Sequence, residues 1–174
     1  MRLRRLLSLL CFVTVLPANP AFADATLFIG TAGINSSPNA SRQTTKGFAI
    51  GAGVLVAGVE FEYTSTAEDV DHLGPSLRTG VGNVYVQTPI PIAGLQFYAT
   101  TGGGLYREKS ISTAAIQLQK TGFASDTGGG VKISLLGPLK ARLDYRVFKL
   151  FGDKPLPNWK SSYQRLYAGI NLGF

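Results

Sequence analysis

Alternation of apolar and polar side chains with a period of two is the feature that most restricts the fold of this chain. Between positions 139 and 147 the sequence reads LKARLDYRV, in which odd positions are apolar or aromatic and even positions are charged. The same period runs through VEFEY at 59–63 and RLYAGINLGF at 165–174. A strand sends successive side chains to opposite faces, whereas a helix would scatter these residues around a cylinder. The chain is therefore predicted to be all-β.

Eight segments follow this pattern, and their connections alternate in length. The predicted strands are 25–34, 47–56, 59–66, 77–88, 95–106, 121–134, 139–149 and 163–174. Short turns containing Gly or Pro alternate with long polar loops at 35–46, 67–76, 107–120 and 150–162, and the third loop contains one candidate short helix at 111–120. Strands of about ten residues suit a tilted crossing of a bilayer. The pattern predicts an eight-stranded antiparallel up-and-down β-barrel, and the strand length suits a transmembrane one.

The first 23 residues have the three parts of a secretory signal peptide. Three arginines within the first five residues precede an apolar run over 6–16, and Ala21 and Ala23 are the small residues that a signal peptidase requires. We expect cleavage after Ala23, which leaves 24–174 as the barrel domain. Cleavage removes three of the 17 basic residues and leaves 14 against 10 acidic ones. No nucleic-acid partner is expected, because much of the basic excess belongs to the leader.

Periodicity alone does not say which face of the barrel is apolar. An apolar interior would make the chain a soluble, lipocalin-like binder of apolar ligands, and an apolar exterior would place it in lipid. Export, the asymmetry of short turns and long loops, and aromatic residues near the predicted strand ends all favour lipid. The candidates for an aromatic girdle are Phe28, Phe48, Tyr63, Phe97, Tyr106, Phe123 and Tyr163.

The last eight residues carry a resemblance to a known family. Tyr167, Gly169, Leu172 and Phe174 match the C-terminal assembly signal of outer-membrane β-barrels: a polar or aromatic residue, a glycine, and two alternating hydrophobic residues ending in Phe. With the leader and the eight segments, the chain resembles the small outer-membrane β-barrel family of the OmpA and OmpX type. The resemblance implies insertion by the barrel-assembly machinery, contact with outer-membrane lipid, periplasmic termini, and extracellular long loops that could bind an extracellular partner.

The polar faces of the strands are expected to lie in the lumen, which eight strands leave just wide enough for side chains. Four acidic and five basic residues are candidates for a lumen charge network: Glu60, Glu62, Asp126, Asp144, Lys132, Lys140, Arg142, Arg146 and Arg165. Near balance is required, because an unpaired buried charge costs several kcal/mol. We expect ion pairs that plug the lumen, with arginines reaching the third strand's carboxylates from across the barrel. A small-solute porin with a charged constriction is the alternative.

Residues suited to catalysis are scarce. Some outer-membrane barrels modify lipid A with Ser and His near the extracellular rim, but His72 is the only histidine here and lacks that spacing. A single cysteine excludes a Cys-ligated metal site, and the glycine pairs lack the following helix of a phosphate loop. The sequence predicts a structural or surface-interaction protein of the outer membrane, with no catalysis, cofactor or metal.

Overall fold

A computed structural model of the protein describes residues 21–33, 42–69, 74–111, 117–152 and 161–174. These residues form eight β-strands. The strands are β1 (Ala21–Gly33), β2 (Arg42–Val54), β3 (Ala57–Thr66), β4 (Ser76–Gln87), β5 (Leu95–Ile111), β6 (Gln117–Leu136), β7 (Leu139–Phe151) and β8 (Ser162–Gly173). Within the described ranges, no helix is long and apolar enough to cross a membrane.

Every strand pairs antiparallel with the next one, and the last strand closes the sheet by pairing with the first. In the closing pair, Asp24 of β1 lies opposite Gly173 of β8, and Gly33 lies opposite Gln164. The strand order around the closed barrel is the order in the sequence. The predicted fold class, an eight-stranded antiparallel up-and-down β-barrel, is confirmed.

The strands extend further into the third connection than the sequence analysis predicts. Ile111 pairs with Gln117, so β5 and β6 together occupy most of the segment 107–120, which the sequence predicts to be a loop. The candidate helix at 111–120 is wrong for Ile111 and for 117–120, which are strand, and its positions 112–116 lie outside the described residues. The described outward residues here, Arg107, Lys109, Gln119 and Thr121, are polar, so the alternation disappears from the sequence although the backbone pairing continues.

The apolar side of each strand faces outward, whereas the acidic side chains of the strands and most of the basic ones face the interior. Leu27 and Leu105 keep 72% and 63% of their surface exposed, whereas Glu62 and Arg146 keep none. A soluble barrel buries its apolar residues and exposes its charges, so this arrangement is the reverse of a lipocalin-like binder. That alternative is wrong for this chain.

The inward–outward alternation along each strand also determines which aromatic residues face the interior. Phe28, Tyr106 and Tyr163 are buried in the interior, so their assignment to an aromatic girdle is wrong. Phe48, Phe97, Tyr63 and Phe123 do belong to the outward face. Nearness to a strand end is a weaker guide than position in the alternation, because every second residue near an end still faces inward.

Interior glycines leave the space that neighbouring aromatic side chains occupy. Gly58 lies opposite Tyr85 in the β3–β4 register, and a Cβ atom at Gly58 would stand 2.5 Å from the Tyr85 hydroxyl oxygen. Gly130 lies opposite Tyr98 in the β5–β6 register, and a Cβ atom there would stand 2.6 Å from the Tyr98 hydroxyl oxygen. Part of the glycine excess therefore follows from packing large rings inside a narrow barrel.

The two ends of the barrel differ. The turn end contains both chain termini of the barrel and the connections β2–β3, β4–β5 and β6–β7, the last of which is the two-residue turn Gly137–Pro138. Gly137 has φ +55°, a conformation that favours glycine. The loop end contains the connections β1–β2, β3–β4, β5–β6 and β7–β8, much of which lies outside the described residues.

Candidate functional site

The interior of the barrel is crossed by ion pairs, and Arg142 of β7 forms the first group. Its guanidinium donates to both carboxylate oxygens of Glu60 on β3, with Nη2 3.1 Å from Oε1. Its Nε donates to Asp144 Oδ2 and to the Tyr98 hydroxyl, each at 2.7 Å. Since β3 and β7 lie on opposite sides of an eight-stranded ring, this side chain spans the lumen.

Arg146 lies four residues after Arg142 on β7 and contacts four carboxylates. Its nitrogens lie 2.7 Å from Glu60 Oε1, 3.1 Å from Glu62 Oε2, 3.1 Å from Asp126 Oδ2 and 3.5 Å from Asp144 Oδ1. All five side chains are buried. A bidentate-capable guanidinium suits this role, because its planar fork of donors can bridge several carboxylates at once.

Arg165 of β8 forms the third group with Glu62 as its acidic partner. Its Nη1 lies 3.1 Å from Glu62 Oε1 and donates to Thr64 Oγ1 at 2.6 Å. The Tyr167 hydroxyl donates to the other oxygen of Glu62 at 2.6 Å. Glu62 therefore has partners from β7 and β8, and its charge is compensated although the side chain has no access to solvent.

A separate ion pair lies near the turn end. Lys132 Nζ stands 2.6 Å from Asp24 Oδ2, and both side chains are buried. Lys140 is half-buried and donates to Gln96 Oε1 at 3.2 Å. These four residues line a cavity of about 250 Å³ at the turn end. Arg142 and Glu60 close the lumen beyond this cavity.

Apolar side chains fill the lumen on the loop side of the arginines. The buried cluster consists of Leu77, Val81, Tyr106, Ala124, Phe148 and Tyr163. The Phe148 and Tyr163 rings stack with their centroids 4.9 Å apart, and the Arg165 guanidinium carbon lies 4.3 Å from the Phe148 centroid. The interior thus has two layers. The ionic layer consists of the three arginines and their carboxylate partners, and the apolar layer, formed by this cluster, lies between the ionic layer and the loop end.

The structure brings the nine sequence-predicted lumen residues to the interior, eight of them buried and Lys140 half-buried. As expected from the sequence, Glu60 and Glu62 are reached by arginines of β7 and β8. Sequence reasoning missed Asp24, Glu108 and Tyr98. Asp24 directly follows the predicted leader and Glu108 lies in the predicted third loop. The alternation continued through these two segments places both residues in the interior.

The residues of the C-terminal signal divide between the two faces. Tyr167 is buried in the ionic layer, where it contacts Glu62, so it belongs to the interior network as well. Gly169 lies opposite Phe28 of β1 and leaves room for that ring side chain. Leu172 and Phe174 face outward, with Phe174 74% exposed.

Two further features of the sequence bear on other chemistry. His72 lies outside the described residues. Among the residues that the structure does describe, no group of three or more His, Cys, Asp or Glu side chains could hold a metal ion. The interior carboxylates of the ionic layer are instead paired with arginines.

The Tyr167 hydroxyl is expected to contribute measurably to the stability of the ionic layer. Tyr167→Phe removes a buried donor from Glu62 and should lower the free energy of unfolding by about 1.5–3 kcal/mol, as expected for a hydrogen bond to a charged group. Urea titration of the refolded barrel measures this change. Tyr145→Phe, on the outward face of β7, is the matched control and should change it by less than about 0.5 kcal/mol. Equal effects of the two substitutions would contradict the role assigned to Tyr167.

Comparison with known proteins gives matches of structure and none of sequence. No protein-family description matches the chain, and no curated protein matches it. Solved structures that resemble it include Neisserial surface protein A (NspA), with a TM-score of 0.68 and 12% identity over 88% of this chain and 97% of that one. The N-terminal β-barrel domain of Pseudomonas aeruginosa OprF has a TM-score of 0.63 and 15% identity over 88% and 97%.

A third similar structure is Ail, the attachment invasion locus protein of Yersinia pestis. It has a TM-score of 0.59 and 11% identity, and the match covers 90% of this chain and 99% of that one. At these identities the likeness establishes the fold alone. Each of the three matches covers nearly the whole of the known barrel, so the shared fold includes all eight strands and their closure.

Proposed function

We propose, from the premise that this chain has the fold of the eight-stranded outer-membrane barrels, that it is an integral outer-membrane protein with a structural or surface-interaction role and a closed lumen. The observation that carries the proposal is a buried cluster of three arginines and their carboxylates inside a wall whose outward side chains are apolar. A protein surrounded by water rarely exposes so large an apolar surface, whereas a surface in contact with lipid is expected to be apolar.

The outward surface supports a membrane location. Each of the eight strands carries exposed apolar residues between its ends, as at Leu27 of β1, Val59 of β3 and Ile170 of β8. A closed barrel leaves no unpaired strand edge, which is the condition for a sheet to cross a hydrocarbon layer. The long-loop end would face the outside and the turn end the periplasm, as in bacterial barrels of this type.

The contents of the lumen favour a closed barrel over a porin. Arg142, Arg146 and Arg165 are among the largest fully buried side chains of the described residues, and the stacked pair Phe148 and Tyr163 lies on the loop side of them. A solute could pass only by breaking these buried ion pairs, and each separated charge would then be left without a partner. An eight-stranded barrel has no spare interior width for such a path.

Single-channel recording in planar bilayers tests the closed lumen directly. The purified, refolded protein is added to one chamber, and a known porin added afterwards confirms that the bilayer reports conductance. We expect no steady conductance from this protein over the baseline. Steady steps of sizeable conductance that depend on the protein concentration would support the small-solute porin and contradict the closed lumen.

We also propose that the protein performs no catalysis and acts through its wall and its loop end. The buried acids of the ionic layer are engaged by arginines and are out of reach of a substrate, so they do not offer a free general base or nucleophile. Three connections at the loop end, β1–β2, β3–β4 and β7–β8, would contact an extracellular partner, because the β5–β6 connection is reduced to 112–116. The partner proposal rests on the length of these three and on their position at one end.

Export and assembly form a further part of the proposal. Cleavage after Ala23 stays a prediction. In the full chain, β1 begins at Ala21, two residues before the predicted cleavage site. Ala23 and Phe174 exchange two backbone hydrogen bonds of 2.9 and 2.8 Å. Recognition by the barrel-assembly machinery would use the outward Leu172 and Phe174 together with Gly169. The exposed terminal ring is available for such a contact.

Phe174→Ala is expected to slow assembly in cells more than it destabilises the finished barrel. The terminal ring is largely exposed and makes little buried contact, so its loss should lower the free energy of unfolding by about 1 kcal/mol or less. Pulse-chase labelling with heat-modifiable migration measures the fraction of folded barrel in the outer membrane. The control is Ile170→Ala, because Ile170 is an outward residue of β8 that is none of the four signal residues. Equal assembly rates for both variants would argue against recognition of Phe174.

A further inference from the structure

The cavity of about 250 Å³ at the turn end is lined by polar side chains from neighbouring strands of the closed ring. Taken around the barrel from β5 through β8 to β1, these side chains are Gln96, Lys132, Lys140, Asn171 and Asp24. Gln96 lies directly opposite Lys132 in the β5–β6 register, and Lys140 lies opposite Asn171 in the β7–β8 register. The strand pairing therefore gathers these groups on one wall of the cavity.

The lining of this cavity has more positive than negative charge. Lys132 is buried, and its carboxylate partner among the described residues is Asp24, at 2.6 Å. Lys140 forms no ion pair with a carboxylate in the described ranges, and it donates instead to the amide oxygen of Gln96 at 3.2 Å. The lining thus holds two ammonium groups and one carboxylate, so an anionic group on a ligand would neutralise it.

Two buried acceptor atoms of the same lining receive no hydrogen bond from the described residues. They are Oδ1 of Asp24, a residue that is 3% exposed, and Oε1 of Gln87 at the end of β4. A buried acceptor without a donor costs about 1–3 kcal/mol, and more when it is charged. A ligand that carries a hydrogen-bond donor would recover part of this cost.

The cavity is closed on one side and reached from the other. Arg142 and Glu60 close it toward the loop end. Phe22 and Ala23 also line it, on the side of the turn end, and the predicted cleavage after Ala23 would remove both. Cleavage would keep the lysines and both free acceptors, would widen the mouth, and would add the positive charge of a new ammonium group at Asp24.

We propose that this cavity binds a small carboxylic acid that also carries an ammonium or hydroxyl group. The carboxylate would accept hydrogen bonds from Lys140 and Lys132, each of which has three donors and uses one in a contact described above. The ammonium or hydroxyl group would donate to Asp24 Oδ1 or Gln87 Oε1. An anion without a donor, such as sulfate, would neutralise the lysines but would be repelled by Asp24.

The size of the cavity suits a ligand of this class. Because a water molecule occupies about 30 Å³ of the liquid, the cavity has room for about eight waters, or for a compound of about six to ten non-hydrogen atoms. A single amino acid or hydroxy acid is of that size. The inference takes only the direction of access from the proposed function, in which the turn end faces the periplasm, and a closed lumen would prevent the ligand from passing further.

A titration with four matched compounds tests the site. The refolded mature protein, labelled with ¹⁵N in detergent micelles, is titrated at constant ionic strength with alanine, lactate, propionate and ethylamine, and the amide signals are followed by NMR. Alanine and lactate carry both a carboxylate and a donor, propionate lacks the donor, and ethylamine lacks the carboxylate. The titrations are repeated with Lys140→Gln and with Lys149→Gln, an outward lysine of the same strand.

We expect alanine and lactate to shift the signals of residues around the cavity, such as Gln96 and Lys132, in a saturable way, without shifts at the loop end. Propionate should bind about tenfold more weakly, because the buried acceptors stay without a donor, and ethylamine should give no saturable shift. Lys140→Gln should weaken the binding of alanine about tenfold, through loss of a charged donor to the carboxylate. Lys149→Gln should change it by less than about twofold.

Three results would overturn the inference. Shifts that rise linearly without saturation for all four compounds would show a water-filled vestibule and no site. Equal binding of propionate and lactate would overturn this class of ligand, and equal losses in the two lysine variants would show a general effect of positive charge.

Folding of each variant is reported separately by heat-modifiable migration. The comparison of the four compounds uses the unchanged protein, so it decides the question even if Lys140→Gln does not fold. A failure of the proposed membrane location would appear in fractionation and in solubility without detergent. A failure of this inference would appear only in the titrations of the folded barrel.

Discussion

Replacement of Arg146 by methionine is expected to lower the free energy of unfolding by about 3–5 kcal/mol, the cost of removing one partner from a buried ion-pair network. Arg146 contacts Glu60, Glu62, Asp126 and Asp144. Methionine fills much of the same volume without a charge. The substitution would therefore remove the arginine that pairs with Asp126. It would leave Glu60 and Asp144 to Arg142, and Glu62 to Arg165 and Tyr167.

The matched control for Arg146 is Lys149→Met on the same strand. Lys149 is outward and exposed, so its loss should change the free energy of unfolding by less than about 1 kcal/mol. Urea titration of both variants, refolded in the same lipid or detergent, measures the difference. If Arg146→Met were as stable as Lys149→Met, the ionic layer would not be the main polar support of the interior, and the assignment of its role would be wrong.

Phe148→Ala is expected to have a comparable effect through a different mechanism. The ring is fully buried, stacks on Tyr163 and lies against the Arg165 guanidinium. Its removal leaves a cavity that the rigid barrel wall cannot collapse to fill, and the expected loss is about 3–5 kcal/mol. Arg165 also loses its cation–π contact, which is part of that loss.

Phe151→Ala is the control for the apolar layer. Phe151 lies three residues later on β7, faces outward and is 42% exposed. The lost free energy should be less than half of that for Phe148→Ala. A barrel with Phe148→Ala should still show no steady conductance, because Arg142 and Arg146 close the lumen independently of the apolar layer. Conductance in this variant would mean that the ionic layer alone does not seal the barrel.

Strand alternation predicts the eight strands and the two faces of the wall because it is a local property. A pattern such as that of 139–147 shows which residues share one face of the sheet. Short turns between strands indicate that consecutive strands pair. The nine predicted lumen residues lie in the interior for this reason. The same local rule, applied to strand ends, would have placed Phe28, Tyr106 and Tyr163 inside.

The partners within the lumen could not be predicted in the same way. Arg146 contacts carboxylates on β3, β6 and β7, and which residues meet depends on the tilt and stagger of the strands around the closed ring. The contacts of Tyr98 and Tyr167 with Arg142 and Glu62 depend on the same geometry. Position along a strand determines which face a residue lies on. The tilt and stagger of the strands determine how far along the barrel axis it lies, and so which residues it contacts.

The most direct test of the account is the state of the mature protein in the absence of detergent. Cells expressing it are fractionated, and the purified protein is examined by size-exclusion chromatography with and without detergent, and by semi-native electrophoresis with and without boiling. We expect the protein in the outer-membrane fraction, aggregation without detergent, and a heat-dependent change in migration. A monodisperse protein that stays soluble without detergent would contradict a lipid-facing apolar wall.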